Sequence, residues 1–214
     1  MNTSGSDYDR RLHMVTHLVK LLENFDRPTH IVMSGNGDPL ASSIMRPLLH
    51  NYKPRPNHTI RLFTNGLLME KQLSDNHIVS NITQYFISID AGSKEVYEQV
   101  RLGGSHSVLL KNFDFLRDLV AKTGAHVLLK FVLQKDNYRD QEQFIKLAQQ
   151  YNFNAVINRL DDWGTWKEFN EHDVIGNADH PEHQDAIAEL RRVYGLYSDS
   201  VQFNPSLRTI CQTL

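Results

Sequence analysis

Residues 29–42 read THIVMSGNGDPLAS, and this stretch contains the first repeat of the pattern that decides the fold. The β-rich run from Thr29 to Met33 predicts a buried strand, and residues 41–50 have the apolar spacing of a helix. Between them, two glycines allow backbone conformations that are closed to other residues, and a proline stiffens the exit from the loop. The stretch therefore predicts a strand, a polar loop and a helix in succession.

The same unit recurs along the chain. Further strands are predicted at residues 58–63, 84–89, 126–133, 155–160 and 200–203. Helices are predicted at residues 8–25, 69–79, 94–100, 108–122, 141–151 and 184–194. Short strands that alternate with longer helices indicate a parallel sheet, and apolar strands such as VLLKFVL indicate a sheet covered on both faces, with Lys130 as an exception. We therefore predict one α/β domain that spans residues 1–214.

Composition excludes several classes of protein. The chain has 214 residues, a formal net charge of −2 and no block of Lys and Arg, so nothing indicates a nucleic-acid partner. No apolar stretch reaches the roughly 20 residues that span a bilayer, so no membrane segment is predicted. Cys211 is the only cysteine, which rules out an internal disulfide and any site that needs two thiolates from this chain. We expect a cytoplasmic protein.

Five polar segments begin where predicted strands end. They are SGNGDP, TNG, SIDAG, LQKDN and NRLDDWG. In parallel α/β folds the functional residues lie at the carboxyl ends of the strands, because those ends meet at one edge of the sheet. We therefore expect the functional site at these five segments, with Asp38 and Asp90 facing one hollow.

The SGNGDP loop has the groups needed to receive a zwitterion. Its exposed N–H groups can donate to a carboxylate, while the carbonyls and Asp38 can accept from an ammonium group. The alternative is a turn before a helix, with Asp38 near the positive end of the helix dipole. TNG by itself is an ordinary turn signal. The candidate residues in these two loops are Gly35, Asn36, Gly37, Asp38, Pro39, Thr64 and Asn65.

The SIDAG segment places Ser88 and Asp90 two residues apart, on the same side of a strand. A hydroxyl and a short acid at a strand end suit the two hydroxyls of a ribose. The alternative is that Asp90 caps the helix that follows.

In the NRLDDWG segment, Asp161, Asp162 and Trp163 could form a rim over the strand ends. Trp163 and Trp166 could equally be aromatic residues that pack in the core.

Three histidines near the carboxyl terminus suggest a different class, a metal-dependent hydrolase. His172, His180 and His183 lie close in sequence, and the last two could share a helix face. Pro181 lies between them, and no HExxH pattern organises the group. A solvated polar surface is the simpler interpretation, so no metal ligand and no catalytic residue is predicted.

Taken in order, the strand ends resemble the radical S-adenosylmethionine (SAM) superfamily. The motifs that carry the resemblance are GNGDP at 35–39, SIDA at 88–91, YEQVRLGG at 97–104, FVLQKDN at 131–137, FIKLA at 144–148, NRL at 158–160 and WGTW at 163–166. GNGDP is similar to the GGEP-type loop that receives the methionyl ammonium of SAM, with Asp38 in place of the usual Glu. SIDA resembles the strand end that contacts the ribose, and the FVLQKDN region resembles the one that flanks adenine.

The resemblance implies a fold, a cofactor and a site. The fold would be a partial (β/α) TIM-like barrel with a parallel sheet of about five or six strands and its first strand missing. Its core would cover residues 29–166, and residues 167–214 would be a C-terminal extension. The cofactor would be SAM, bound by the loop residues named above with Ser88, Asp90, Leu133, Gln134, Asn158 and Arg159.

One defining feature of the superfamily is absent. No CxxxCxxC loop precedes Thr29, and Cys211 alone cannot hold a [4Fe–4S] cluster. We therefore expect a fragment or remnant of a radical SAM enzyme that is inactive by itself, with the cluster only in a longer parent protein. A ligand-binding relative without chemistry, or a partner chain that supplies the missing part, are the alternatives.

The missing strand has a structural consequence. It would leave the strand Thr29–Met33 at the edge of the sheet with unpaired N–H and C=O groups. We expect this edge to be covered by the N-terminal residues or by another copy of the chain.

Overall fold

The computed structural model describes residues 5–35, 37–164 and 166–213. The strands are β1 (Thr29–Met33), β2 (His58–Thr64), β3 (Ile82–Ser88), β4 (His126–Leu133), β5 (Asn154–Arg159) and β6 (Gln202–Phe203). The α-helices are α1 (Gly5–Glu23), α2 (Met45–Asn51), α3 (Met69–Leu73), α4 (Lys94–Val100), α5 (His106–Thr123), α6 (Gln141–Gln150), α7 (His183–Tyr197) and α8 (Pro205–Gln212). The strand order is β1-β2-β3-β4-β5-β6 in a six-stranded sheet, so the α/β class and the parallel sheet are confirmed.

The chain divides into two compact units. The first contains residues 1–87 and 112–127, and the second contains residues 88–111 and 128–214. This division into compact units does not test the prediction of a single domain, which stays a prediction. No helix in the described part of the chain is long and apolar enough to cross a membrane.

In the first unit, β1 pairs with β2 and β2 pairs with β3, both in parallel. Side chains on β2 alternate, so that Leu62 is buried while Arg61 is exposed and Phe63 is half-buried. Phe63 stacks on Phe86 of β3 with a centroid distance of 4.3 Å. One face of these strands is therefore core and the other is partly open, which corrects the expectation of a sheet covered on both faces.

In the second unit, β4 pairs with β5 and β5 pairs with β6, again in parallel. Along β4 the buried residues Leu129, Phe131 and Leu133 alternate with the half-buried residues Lys130 and Val132. Lys130 is thus no exception within an apolar strand, because it belongs to the face that the core does not use. The same alternation continues in β5.

Most predicted elements agree with the structure within a few residues, and three differ. The helix predicted at 41–50 begins only at Met45, because residues 39–41 and 43–44 form turns after the proline. The helix predicted at 69–79 is interrupted, and a 3₁₀ helix begins at His77 because the Asn76 side chain accepts from the Ile78 N–H. Helix α8 was not predicted, although Asn204 and Pro205 give it a helix-start signal.

The N-terminal residues do not complete the sheet. From Gly5 to Glu23 they form helix α1, so they add no strand beside β1. Within the described residues, β1 pairs with β2 alone and lies at one end of the strand order. Residues 5–23 therefore supply no paired strand, while the expectation that N-terminal residues or a second copy cover this edge stays a prediction; Val32 is 57% exposed.

Candidate functional site

In the first unit, the Asp38 carboxylate joins the loops that follow β1 and β2. Its Oδ2 accepts from the Thr64 hydroxyl at 2.7 Å and from the Asn65 N–H at 2.6 Å. Its Oδ1 accepts from the Leu40 N–H at 2.8 Å, which closes the turn after the glycines. Asp38 is therefore a connector between two strand ends, and its predicted role toward an ammonium group stays a prediction.

The glycine loop around Asp38 is open to a ligand. Gly37 has a φ of 117°, a conformation that side chains rarely adopt, and its N–H donates to the Gly35 carbonyl at 2.9 Å. Among the described residues, no heavy atom lies within 4 Å of a Cβ built on either glycine. Pro39 is buried under the loop. Asn36, the remaining candidate of this loop, lies outside the described residues.

The neighbouring TNG loop is built as a turn. The Asn65 side chain accepts from the Leu67 N–H at 3.0 Å, and the Thr64 hydroxyl accepts from the Gly66 N–H at 3.1 Å. Gly66 has a φ of 84°. The turn interpretation of this segment is therefore confirmed, and the hydroxyl of Thr64 serves both loops.

In the second unit, Asp90 is buried and takes the left-handed conformation with a φ of 55°. Its carboxylate forms an ion pair with Arg101 and accepts from the Val132 N–H at 2.8 Å. Burial raises the pKa of the Asp90 carboxyl above its ordinary value, against the lowering influence of Arg101, the Val132 N–H and the charge of Lys130. The carboxylate is thus partnered on both oxygens in the absence of any ligand.

Asp90 does not cap the next helix, so that alternative is wrong. Helix α4 begins after Ser93, and Asp140 supplies the acceptor there: its Oδ2 accepts from the N–H groups of Gly92 and Ser93 at 2.6 and 3.0 Å. A Cβ on Gly92 would lie 2.1 Å from the backbone carbon of Gln143. Gly92 of the SIDAG segment is therefore needed for the close approach of helix α6.

Asn137 organises the carboxyl end of β4. Its buried amide donates to the carbonyls of Asp90 and Val132, both at 2.9 Å, and its Oδ1 accepts from the Gln134 N–H at 2.8 Å. One side chain thus fixes the backbone on either side of the strand end. Apart from the position of Asn137 in the LQKDN segment, no sequence pattern indicates this role.

A cavity of about 320 Å³ lies at the carboxyl ends of β4 and β5, entirely within the second unit. Its wall includes four of the predicted SAM residues: Asp90, Gln134, Asn158 and Arg159. The other residues of the wall are Lys130, Val132, Leu160, Asp161, Trp163, Trp166 and Asn204. Residues from three predicted strand ends therefore meet at one cavity.

Two predicted residues of the second unit do not contribute to this wall. The Leu133 side chain is buried in the core, and Ser88 is half-buried at the end of β3. Arg101, Lys130 and Asn204 were not predicted as site residues. A charged Lys in an otherwise apolar strand was an available signal for Lys130, whereas Asn204 gave none because it follows a long segment without a motif.

Arg159 is held from one side. Its Nη2 lies 3.2 Å from Oδ2 of the buried Asp173, whose Oδ1 accepts from the Gly176 N–H at 2.7 Å. Trp166 stacks on His172 with a centroid distance of 4.7 Å, and Trp163 is 84% exposed. The segment after β5 therefore supplies both the wall of the cavity and the counter-ion of Arg159.

The three histidines do not form a metal site. The described residues contain no group of three or more His, Cys, Asp or Glu side chains that could hold a metal ion. Nδ1 of His180 accepts from the Glu182 N–H at 3.1 Å, and its Nε2 lies 3.1 Å from the Glu171 carbonyl. Nδ1 of His183 lies 2.9 Å from the Val174 carbonyl. Both rings therefore bind the backbone of the segment that precedes α7.

Comparison with known proteins yields similarity in structure alone. No family model matches the chain, and no curated protein matches it in sequence. Among solved structures, SuiB from Streptococcus suis matches with a TM-score of 0.56 and 12% identity, over 95% of this chain and 45% of SuiB. SuiB has also been crystallised with S-adenosylmethionine, and that structure matches with a TM-score of 0.51 and 13% identity, over 85% of this chain and 39% of SuiB.

Two further structures match to a similar extent. The anSMEcpe protein with bound AdoMet gives a TM-score of 0.54 at 14% identity, over 90% of this chain and 54% of that protein. A radical SAM methyltransferase from Sphaerobacter thermophilus gives a TM-score of 0.53 at 16% identity, over 90% of this chain and 55% of that protein. The chain thus spans about half the length of the proteins it matches. At these identities the likeness establishes the fold class alone, an α/β fold with a parallel sheet that is consistent with a partial TIM-like barrel.

Proposed function

We propose that this chain binds S-adenosylmethionine and that the cavity of the second unit receives its nucleoside part. The observation that carries the proposal is the convergence of Asp90, Gln134, Asn158 and Arg159 on one cavity. Each of these four residues belongs to a polar segment at the end of a strand. The sequence resemblance implies that residues 35–39 receive the amino-acid end of SAM, and Thr64, Asn65, Ser88 and Leu133 are further proposed contacts that rest on the sequence alone.

The residues of the cavity fit a nucleoside chemically. Gln134 and Asn158 offer amide donors and acceptors, and Nδ2 of Asn158 is buried with no acceptor among the described residues. Trp163 and Trp166 offer aromatic faces on which a base can stack. Asp90 has a carboxylate that could accept from ribose hydroxyls in addition to its present partners.

The residues do not fit an iron–sulfur cluster. A [4Fe–4S] cluster takes several thiolates, and this chain supplies only Cys211, whose pKa burial raises to about 11. We therefore propose that the chain alone binds SAM without cleaving it reductively, as a fragment or remnant of a longer radical SAM enzyme. Anaerobic reconstitution with iron and sulfide should leave the purified chain without stoichiometric cluster, and a full cluster would overturn this part of the proposal.

The binding test uses S-adenosylhomocysteine, which is chemically more stable than SAM, in isothermal titration calorimetry. Asp90→Ala, which removes a charged acceptor, should cost about 1.5–3 kcal/mol, or about tenfold or more in Kd. Gln134→Ala, which removes a neutral amide, should cost about 0.5–1.5 kcal/mol. The matched controls are Gln150→Ala and Asp199→Ala, at exposed positions of the same unit. No binding at millimolar ligand, or equal binding by all variants, would contradict the proposal.

We also propose that a second copy of the chain pairs with the open edge of β1. Support comes from the position of Thr29–Met33 at the end of the strand order and from the absence of any charged or proline residue in that strand. Peptide or other substrates of the parent enzyme, and a cytoplasmic location, remain expectations from the sequence.

A further inference from the structure

Two residues that line the cavity of the second unit have buried side-chain donors without an acceptor among the described residues. Nε of Arg159 and Nδ2 of Asn158 are both buried, and neither has an acceptor within the described residues. Both residues line the cavity. Because a buried donor without an acceptor costs roughly 1–3 kcal/mol, such atoms favour a ligand that brings acceptor oxygens.

The Arg159 guanidinium is positioned rather than free to move. The Asp173 side chain is 4% exposed, and its Oδ2 lies 3.2 Å from Nη2 of Arg159. This ion pair restrains one side of the guanidinium. Gly176 makes this arrangement sterically possible, because a Cβ at that position would lie 1.8 Å from Nη2 of Arg159 and 2.2 Å from Oδ2 of Asp173. A guanidinium held in this way can bind two oxygens of a planar group without further ordering.

The charge of the wall decides which planar group fits. Lys130 and Arg159 contribute two positive charges and Asp90 and Asp161 two negative ones, and Asp90 is further paired with Arg101. Arg159 is itself paired with Asp173. A phosphate with about −1.5 to −2 charge would therefore meet no matching excess of positive charge, whereas a single carboxylate can be held mainly by hydrogen bonds.

We propose that Asn158 and Arg159 form a binding site for the carboxylate of a small organic acid other than SAM, with Asp173 and Gly176 as positioning residues. The ligand class is a carboxylic acid whose apolar or aromatic part lies toward Trp163 and Trp166. The site rests on the same cavity as the proposed SAM binding, but it does not need SAM to be bound.

The chain contains two tryptophans, and both line this cavity, so intrinsic fluorescence reports on it directly. The probes are phenylacetate, its uncharged amide phenylacetamide, and phenyl phosphate. Phenylacetate should change the emission in a saturable manner and bind at least about tenfold more tightly than phenylacetamide, because charge-assisted hydrogen bonds are the stronger ones. Equal binding of the amide, or tighter binding of the phosphate, would overturn the carboxylate assignment.

Two variants test the residues. Arg159→Gln removes the guanidinium that would bind the two carboxylate oxygens. Gly176→Ala should displace this guanidinium while every charge stays in place. Each variant should weaken phenylacetate binding about tenfold or more. Phenylacetamide binding should change little for Gly176→Ala, whereas the melting temperature should fall, because the new methyl group displaces the buried Asp173 carboxylate from Arg159. Loss of both ligands together would indicate a merely structural role and would overturn the positioning argument.

The matched controls are Gly195→Ala, where no heavy atom lies within 4 Å of an added Cβ, and Arg139→Gln, an exposed arginine paired with Asp185. Both should bind phenylacetate within about twofold of the unmodified chain. Should Arg159→Gln fail to fold, Arg159→Lys keeps the positive charge but loses the planar guanidinium. It should show the same loss of phenylacetate binding. A parallel titration with S-adenosylhomocysteine separates the two proposals, since either ligand can bind or fail without the other.

Discussion

In the first unit, Oδ2 of Asp38 lies 2.7 Å from the hydroxyl oxygen of Thr64 and accepts its hydrogen bond. The same carboxylate accepts from the backbone N–H groups of Asn65 and Leu40. A residue chosen from the sequence for its ability to bind a ligand is thus also the tie between two strand ends. Any loss of ligand binding on substitution of Asp38 must therefore be separated from a loss of stability.

Asp38→Ala removes the acceptor of three hydrogen bonds, two of them from backbone N–H groups. We expect the free energy of unfolding to fall by about 3 kcal/mol, because hydrogen bonds to charged groups contribute about 1.5–3 kcal/mol and two of the donors left behind belong to the buried residues Leu40 and Thr64. Urea unfolding followed by circular dichroism measures the change. The control is Asp26→Ala, an 80% exposed residue in a surface ion pair with Arg55, which should cost at most about 1 kcal/mol. Equal losses for the two variants would contradict the role of Asp38.

Asn137→Ala should disrupt the carboxyl end of β4. It removes two donors from the carbonyls of Asp90 and Val132 and the acceptor of the Gln134 N–H, all within a buried site. We expect a loss of about 3 kcal/mol in the free energy of unfolding, since three buried hydrogen bonds are lost together. Urea unfolding is again the measurement, with the exposed Asn170→Ala as control. A loss below about 1 kcal/mol would show that water replaces the amide.

Glu142 should make the stability of the second unit depend on acid pH. Hydrogen bonds from Lys146 and Arg192, at 2.8 and 2.7 Å, lower the pKa of its carboxyl from 4.5 to about 2. Because the folded pKa lies below the unfolded one, this contribution is present above pH 4.5 and is lost as the pH falls toward 2. The difference in urea midpoint between the unmodified chain and Glu142→Gln should therefore be largest at neutral pH and shrink on acidification. A constant difference across that range would contradict the linkage.

The open edge of β1 should allow two copies of the chain to associate. Val32 is 57% exposed on this strand, and a Lys at that position would discourage pairing between edges. We expect sedimentation velocity to show a dimer whose population rises with concentration and falls in Val32→Lys. Met14→Lys is the control, because Met14 is 62% exposed on helix α1 and takes no part in strand pairing. A dimer that Met14→Lys disrupts and Val32→Lys does not would place the contact on the helix instead.

Local patterns were sufficient for the strands and for most helices. The limits of β1 and β4 agree with the prediction, because short apolar runs between polar, Gly- or Pro-containing segments leave little choice of where the strand begins and ends. The helix before β2 was predicted too early, since the apolar spacing of residues 41–50 says nothing about the turns that follow the buried Pro39. Helix α8 is not predicted, because its 8 residues are too few to show a clear helical period in the sequence.

The sequence by itself determined the alternation of strands and helices, the parallel sheet and the polar segments at the strand ends. These are properties of neighbouring residues, namely apolar period, glycine and proline positions and turn chemistry. Only the tertiary structure decided which of these polar residues already have a hydrogen-bond or ion-pair partner. The pairs are Asp38 with Thr64, Asp90 with Arg101, and Arg159 with Asp173. The physical reason is that hydrogen bonds and ion pairs of this kind join residues 11 to 26 positions apart, and their formation depends on burial and on the packing of whole elements.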